Sequence, residues 1–255
     1  MRRIAAIYLW ELTQGLQNRF LQVFALACLA GGAGLLAAAP GADVLPLILI
    51  QAILFFGSLL ALLVGWSSGQ QARGQGAFLF AQPIGSSELI VGQLLGTASW
   101  CALLLLSFMG PAAVNASNPV ALLTLAGLAI GFMLVCVMGG LVIGLTTAPV
   151  SGLLAALLAW AVAIAGWELG LLLLAELTWI QQSPAVFLTL LLANPAGVFR
   201  VGALVGLDTV PFDAAELETG RWVFQYVAWV ALLIFLAWLV VLGALGSWAV
   251  HRQEM

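Results

Sequence analysis

The sequence predicts an all-α membrane protein with six transmembrane helices, an N-terminal interfacial helix, and re-entrant or interfacial helices before the last span. Six apolar stretches of about 20 residues or more fill most of its 255 positions, and about 20 helical residues cross a ~30 Å hydrocarbon core. Backbone polar groups in lipid must be paired within a helix or a closed barrel. The apolar runs are continuous rather than alternating, which excludes barrel strands.

The first element is the segment 1–19, which has the periodicity of an amphipathic helix. One stripe of this helix is apolar and the opposite side is polar; the residues are Ala5, Leu9, Leu12 and Leu16, against Glu11, Gln14 and Asn18. The pattern favours a helix lying in the membrane interface and anchored by Tyr8 and Trp10. A cytosolic helix that caps the bundle is the alternative interpretation.

The six spans follow from the apolar runs and the polar or Pro-containing breaks between them. Their expected ranges are 20–39, 44–65, 88–112, 119–146, 150–175 and 222–249. The first is expected to remain uncleaved, because it begins only at Phe20 and is too long for a signal peptide. Residues 66–87 form a polar loop, and residues 250–255 a short tail.

The long connection 176–221 contains two apolar stretches, Pro184–Leu192 and Pro195–Gly206, that are too short to span. Such lengths suit re-entrant or interfacial helices. An acidic run from Asp208 to Glu218 follows them.

Arginine predicts the orientation, because it resists translocation. With the N-terminus in the cytoplasm, five arginines lie inside and two outside; these are Arg2, Arg3, Arg19, Arg73 and Arg252 against Arg200 and Arg221. Both termini are therefore expected in the cytoplasm, with 66–87 inside and 176–221 outside.

Composition excludes several classes of function. Charged residues make up 7% of the chain, the net charge is −3, and lysine is absent. Nucleic acid is therefore not an expected partner. The single histidine, His251, lies in the tail, which argues against a catalytic or metal-binding histidine inside the membrane. A P-loop requires lysine, so any ATP must be bound by another polypeptide, and no cofactor is expected in this chain.

The sulfur-containing residues permit one further hypothesis. They lie within several spans; the residues are Cys28, Cys101, Met109, Met133, Cys136 and Met138. Soft sulfur ligands select Cu(I), so a copper path is conceivable. The favoured interpretation is that they fill apolar space, and no metal site is predicted.

Three stretches resemble the permease subunits of ABC-2 type transporters. The first is the polar stretch from Glu11 to Phe20, and the second runs from Gly69-Gln70-Gln71-Ala72-Arg73-Gly74 through Gln82-Pro83 to Gln93. The third is Asn194-Pro195 with the downstream Arg200. Their order and spacing are most similar to the subgroup of the nitrous oxide reductase maturation transporter, over nearly the whole chain.

The resemblance implies a half-transporter of the bacterial inner membrane that forms a homodimer and pairs with two cytoplasmic ATPase subunits. In that family the N-terminal elbow helix and the loop after span two receive force from the ATPase. The corresponding residues here are Glu11, Asn18, Arg19, Gln70, Arg73, Pro83 and Glu88. The loop departs from the family, which carries an acidic residue near its start and a lysine near its end, where this chain has Gln70, Gln71 and Gln93.

The outer connection could dock a periplasmic accessory protein, as in the maturation subgroup, or could be a solvated surface. The candidate docking residues are Asn194, Arg200, Asp208, Asp213, Glu216 and Glu218.

Glu168 is expected to lie near the middle of span five, where a charge costs at least about 2.5–3.5 kcal/mol. The neighbouring Gly166 and Gly170 permit close approach of another helix. In the resembled family span five borders the dimer axis, so Glu168 either lines the transport route or is a protonated acid bonded to another helix. Other Gly-xxx-Gly pairs are interpreted mostly as ordinary packing; they are Gly92/Gly96, Gly127/Gly131, Gly140/Gly144 and Gly202/Gly206.

The leading functional hypothesis is an ABC-2 permease whose substrate is a sulfur- or metal-related species for an extracytoplasmic metalloenzyme. A generic exporter of lipid, glycan or small molecules is the alternative within this class. A membrane anchor for a periplasmic complex is the alternative from another class. A secondary transporter is disfavoured because Glu168 has no evident ionisable partner, and an intramembrane enzyme because no nucleophile motif occurs.

Overall fold

The structure, a computed structural model, describes residues 2–38, 44–74, 85–114, 119–181, 183–206 and 226–253. Throughout these ranges the regular elements are helices and no strand occurs. In chain order the helices are α1 (Arg2–Gly15), α2 (Arg19–Ala38), α3 (Leu45–Gly74), α4 (Ser86–Val114), α5 (Pro119–Thr146), α6 (Pro149–Ala175), α7 (Thr178–Gln181), α8 (Pro184–Ala193), α9 (Pro195–Gly206) and α10 (Val227–Gln253).

Six helices, α2 to α6 and α10, are long and apolar enough to cross a membrane. This confirms the predicted all-α, multi-pass fold. The observed bounds of α2, α5 and α6 differ from the predicted ranges by at most one residue, whereas α3 continues to Gly74 rather than ending at residue 65. The first nine residues of the predicted polar loop 66–87 are therefore helical, because their polar side chains bond to neighbouring helices instead of water. Residues 75–84 lie outside the described part.

The predicted short helices before the last span are also confirmed. Helices α8 and α9 meet at a bend of 110°, so together they form a broken span or a re-entrant pair. Asn194 begins α9: its Oδ1 accepts a hydrogen bond from the Ala196 amide at 3.1 Å, and Pro195 occupies the first helical position. Both residues are typical of a helix start, which explains the location of the bend.

Helices α3 and α5 run parallel in backbone contact through two Gly-xxx-Gly pairs. A Cβ on Gly65 would overlap the carbonyl oxygen of Val137, and a Cβ on Gly140 would overlap that of Leu62. Four residues further along both helices, Gly69 and Gly144 face each other with 3.0 Å from the built Cβ of each to the Cα of the other. Only glycine permits this approach, which makes the pair the rigid centre of the bundle.

Two spans contain a π-helical turn, Ile53–Gly57 in α3 and Val162–Gly166 in α6. Such turns leave a backbone carbonyl without its usual helical partner. Next to the first, the Ser58 hydroxyl accepts a hydrogen bond from the indole of Trp160 at 3.0 Å. In the second, the carbonyl of Ala163 accepts a hydrogen bond from the side-chain amide of Asn194 at 2.5 Å. The two irregular turns therefore bond to other elements of the chain.

The spans differ strongly in how much of each is covered by the rest of the chain. About half of an 18-residue apolar stretch is buried in α3, α4 and α5 (56%, 50% and 50%), but only 11% in α6 and 17% in α10. The core thus consists of α3, α4 and α5, while α6 and α10 lie at the periphery.

Candidate functional site

Polar side chains gather at two places in the bundle. The first, the N-terminal dock, consists of Glu11 with Ser68 and Thr97. The second, the bend site, consists of the ion pair between Glu168 and Arg200 and the adjoining α8–α9 bend at Asn194.

At the N-terminal dock a single carboxylate joins three helices. Glu11 of α1 is only 4% exposed. Its Oε1 accepts hydrogen bonds from the Ser68 hydroxyl of α3 at 2.6 Å and from the Thr97 hydroxyl of α4 at 3.0 Å. Burial raises the pKa of the Glu11 carboxyl, and the two hydrogen bonds oppose that rise.

Helix α1 runs parallel to the first half of α4 and packs against its glycines. A Cβ on Gly92 would stand 2.7 Å from the Ile7 Cβ, and one on Gly96 would stand 2.6 Å from the Glu11 Cβ. The Trp100 indole then donates to the Leu12 carbonyl at 3.1 Å, which satisfies an acceptor in the last turn of α1. The Gly92/Gly96 pair is therefore the surface of α4 on which α1 packs.

Helix α1 buries a polar residue against the bundle and exposes apolar residues on its opposite side, which is the arrangement expected next to lipid. Within α1, Glu11 and Ile7 are buried, whereas Leu9 of the predicted apolar stripe is 60% exposed; beyond the end of α1, Leu16 is 62% exposed and Asn18 is buried. An apolar face toward lipid and a polar face toward the bundle agree with a helix at the membrane. The exposed Leu9 favours the interfacial position over a cytosolic cap, and the interfacial position stays a prediction.

The remaining residues of the predicted coupling set lie around this dock. Asn18 begins α2, its Oδ1 accepting from the Phe20 amide at 3.0 Å, and Arg19 is exposed beside it. Glu88 lies 3.7 Å from Arg3 and accepts from the Gly85 amide at 3.2 Å. Pro83 lies outside the described residues.

Gln70 and Arg73, also predicted for coupling, bind the end of α5. The Gln70 amide donates to the carbonyls of Gly144 at 2.9 Å and Thr147 at 2.8 Å, and Arg73 donates to the same Thr147 carbonyl. Donors and positive charge are favourable at a helix C-terminus. The ends of α3 and α5 and the starts of α1 and α4 thus meet at one end of the bundle.

Gln93 is the most unusual polar residue near this end. Its side chain is fully buried in α4, and both amide atoms have no hydrogen-bond partner within the described ranges. It precedes Thr97 by four residues, so the two lie on the same face of the helix.

At the bend site, Glu168 of α6 and Arg200 of α9 form an ion pair at 2.6 Å, with side chains 30% and 28% exposed. Glu168 lies seven residues before the end of α6 at Ala175, so the expected mid-span position is wrong. The bounds of α6 agree with the predicted span, and residue 168 falls in the last third of both ranges. Arg200 was named as a docking residue, and its partnership with Glu168 was missed because no spacing rule links a span to a distant connection.

The bend beside this pair is held by three hydrogen bonds to backbone. Besides the Asn194 bond to Ala163, the Trp167 indole donates to the Leu190 carbonyl at 3.2 Å, and the Trp238 indole donates to the Ala193 carbonyl at 3.1 Å. Asn194 is buried and both ends of its amide are bonded within the chain. The other predicted docking residues, Asp208, Asp213, Glu216 and Glu218, lie outside the described ranges.

In the described structure, the nearest atoms to a Cβ built on Gly166 belong to α6 itself, the closest at 3.8 Å, and a Cβ built on Gly170 has no neighbour within 4 Å. The same pattern that locks α3 to α5 is open in α6.

A cavity of about 480 Å³ separates the middle of α6 from α5 and α10 and reaches the α8–α9 bend. Its walls are mostly apolar and include the three tryptophans Trp160, Trp167 and Trp238. All three indole N–H groups bond to the protein. No cluster of three or more His, Cys, Asp or Glu side chains that could hold a metal occurs in the described part of the chain.

Comparison of the chain with models of protein families finds no match, and comparison with curated proteins finds no match either.

Proposed function

We propose that this chain is the permease subunit of an ABC-2 type ATP-driven transporter of the bacterial inner membrane. It would work as a homodimer with two cytoplasmic ATPase subunits and with both termini in the cytoplasm. The observation that carries the proposal is the meeting of α1, the end of α3 and the start of α4 at the N-terminal dock. In the resembled family the elbow helix and the loop between spans two and three receive force from the ATPase, and the corresponding residues 1–19 and 66–87 include Glu11 and Ser68 of this dock.

The packing at the dock suits the transmission of force. The Glu11 carboxylate bonds to both α3 and α4, and α1 sits directly on Gly92 and Gly96. Because close-packed interiors are stiff, displacement of α1 would move these two helices with it. Helix α5 would follow, since α3 is in backbone contact with it.

The exposure of α6 supports the homodimer. Only 11% of an 18-residue apolar stretch of α6 is buried by the rest of the chain, and Gly166 and Gly170 offer a surface on which another helix could approach closely. A second copy would cover this face. Glu168 and the bend site would then lie beside the dimer axis.

The substrate and the periplasmic partner rest on the resemblance alone. The substrate would be a sulfur- or metal-related species used to mature an extracytoplasmic metalloenzyme, and the acidic residues from Asp208 to Glu218 would contact an accessory protein. A generic exporter of lipid, glycan or small molecules is the alternative.

Purification of the tagged full chain from its source membranes tests the proposal. We expect an ATPase in equal molar amount, a complex with two copies of each subunit, and ATP turnover in lipid vesicles. A stable chain without any ATPase would overturn the proposal. A stoichiometric periplasmic protein in such a preparation would favour the anchor function instead.

A further inference from the structure

We propose that the cavity beside α6 binds one phospholipid with an ethanolamine headgroup, its acyl chain between the tryptophans and its headgroup at the Glu168–Arg200 ion pair. This inference does not depend on whether the chain is a permease, because it rests on the shape and charge of the bend site. Val162 and Ala163 line the cavity on the same side of α6 as Gly166 and Gly170, so in the homodimer proposed above the lipid would lie between the two copies.

The cavity has the size and chemistry of an acyl-chain site. Its volume of about 480 Å³ lies within the ~300–1,000 Å³ of small-molecule pockets. The indole N–H groups in its wall are already bonded within the protein, so the rings offer apolar faces. The lining residues Val162 and Ala163 are exposed on the periphery of the bundle, where a membrane protein meets lipid.

The ion pair lies one helical turn beyond the cavity. Ile164 and Ala196 line the cavity, and Glu168 and Arg200 follow them by four residues on the same helix faces. The midpoint of α6 is residue 162, so Glu168 lies about 9 Å further along the helix toward Ala175. Half of the hydrocarbon core is ~15 Å thick, and long side chains reach outward from within it. The depth order therefore matches a lipid, with its chain toward the middle and its headgroup near the interface.

The charges at the ion pair complement an ethanolamine headgroup. Arg200 contacts Glu168 through one terminal nitrogen, while its Nε is buried and has no hydrogen-bond partner among the described residues. The Arg200 side chain is 28% exposed, so a phosphate oxygen could accept from the N–H groups of its exposed end in a charge-assisted hydrogen bond. The ammonium group of ethanolamine could donate to the Glu168 carboxylate, which a quaternary choline ammonium cannot do. Phosphatidylglycerol would bring a negative charge without any cation for Glu168.

Native mass spectrometry of the delipidated full chain, titrated with phospholipids of identical acyl chains, tests the proposal. We expect one phosphatidylethanolamine per chain, bound about tenfold more tightly than phosphatidylglycerol or phosphatidylcholine, as the loss of one charge-assisted hydrogen bond implies. The double variant E168Q/R200Q should abolish this preference while a lipid still binds.

Substitution of cavity glycines supplies the matched control. Gly139 lines the cavity, and a Cβ there would meet only Leu242 at 3.9 Å, so Gly139→Leu has room for its Cβ and places its side chain at the cavity wall. Gly127→Leu is the same change in the same helix at a site where a Cβ meets nothing within 4 Å. We expect G139L to lower lipid affinity about tenfold and G127L to leave it unchanged. Ala163→Leu, at the cavity mouth, should lower lipid affinity as G139L does. It provides a second cavity-filling variant in case G139L does not fold.

Three results would overturn the proposal. They are no bound phospholipid in the wild-type chain, equal affinity for the three headgroups, and equal affinity in G127L and both cavity-filling variants. An adventitious lipid at high concentration would show the second and third patterns together.

Discussion

The α3–α5 pair and the exposed face of α6 carry the same Gly-xxx-Gly pattern and use it in opposite ways. In α3 and α5 the glycines bring two backbones into contact, and any Cβ on them would overlap a carbonyl oxygen. In α6 a Cβ on Gly170 would meet no atom within 4 Å. A Gly-xxx-Gly pair therefore shows only that a helix surface has no bulky side chains at those positions. Whether another helix packs there depends on the elements that surround it.

The two regions also treat buried acid differently. Near the tight pair, Glu11 is satisfied by two hydroxyl donors and is almost fully buried. At the loose end of α6, Glu168 keeps an ionic partner and partial exposure. A rigid centre thus accepts a carboxyl that hydrogen bonds satisfy, while the periphery retains a charge pair that an incoming ligand can address.

The largest expected effect comes from adding one methyl group to the tight pair. Gly140→Ala should lower the free energy of unfolding by about 2–3 kcal/mol, because its Cβ would overlap the Leu62 carbonyl and neither backbone can yield. Denaturant unfolding in detergent would measure this. Gly127→Ala on the same helix is the control and should not destabilise the chain. Equal free energies of unfolding in the two variants would contradict the backbone contact between Gly140 and Leu62.

The next effect concerns Glu11. Glu11→Ala should destabilise the protein by about 1–3 kcal/mol, since it leaves the Ser68 and Thr97 hydroxyls buried without their acceptor. Glu11→Gln keeps a carbonyl acceptor at the same place and should lose less than half of that amount. The same unfolding measurement would distinguish them, and an identical loss in both would show that the carboxylate, not the acceptor, matters.

The dock should also respond to pH. Burial raises the pKa of Glu11 above its usual 4.5, so the folded state favours the neutral acid. The resulting stabilisation is fully present below the unfolded pKa and is lost as pH rises through the folded pKa. Between these values stability should fall by up to about 1.4 kcal/mol per pH unit.

Melting temperatures of the wild type and Glu11→Gln between pH 4 and pH 8 would test this, because the variant retains every other titrating group, including Arg3 and Glu88 nearby. The wild type should lose stability relative to the variant as pH rises. Parallel curves would contradict a raised pKa.

A smaller effect is expected at the ion pair of the loose region. Because both side chains are about 30% exposed, a double-mutant cycle with Glu168→Gln and Arg200→Gln should give a coupling of about 1 kcal/mol or less. Amide exchange in α9 should accelerate in each single variant. A cycle with no coupling and unchanged exchange would mean that the bend is held by Asn194 and the tryptophans alone.

The smallest effect on the monomer is expected on the open face. Gly170→Leu should change the free energy of unfolding by no more than about 0.5 kcal/mol, since the new side chain meets open space. If α6 forms the homodimer proposed above, light scattering should show loss of the dimer in this variant. Gly34→Leu, at another position where a Cβ meets nothing within 4 Å, should keep both properties.

Hydropathy was sufficient to predict the number and type of the spans, because length and apolarity decide whether a helix can cross lipid. It could not predict helix partners, since lipid tails are as apolar as a protein core and the outward face of a span has no distinct composition. The Gly65/Gly69 pair was missed because it crosses the predicted end of the second span. Gly65 is the last residue of that predicted span, and Gly69 falls in the predicted polar loop 66–87.

The candidate sites were predictable only residue by residue. Glu11 and Glu168 stand out because acids are costly near lipid, yet their partners Ser68, Thr97 and Arg200 are 57, 86 and 32 positions away. The periodicity predicted the helix α1 correctly. It could not predict which face of α1 packs against the bundle, because that depends on whether water or lipid surrounds the helix. The π-helical turns have no signal in the apolar runs that contain them.

The N-terminal dock has a consequence for how the chain is synthesised. Glu11 leaves the ribosome 86 residues before Thr97, so at about 5–20 residues per second its second partner is made roughly 4–17 s later. For nearly all of that interval α1 has no surface to pack against, because Gly92 and Gly96 have also not yet been translated. The exposed leucines along one side of α1 would hold it at the bilayer surface meanwhile. The first helix to be made can therefore dock only after the third span has been made, and its attachment would report that the first three spans have been inserted in order.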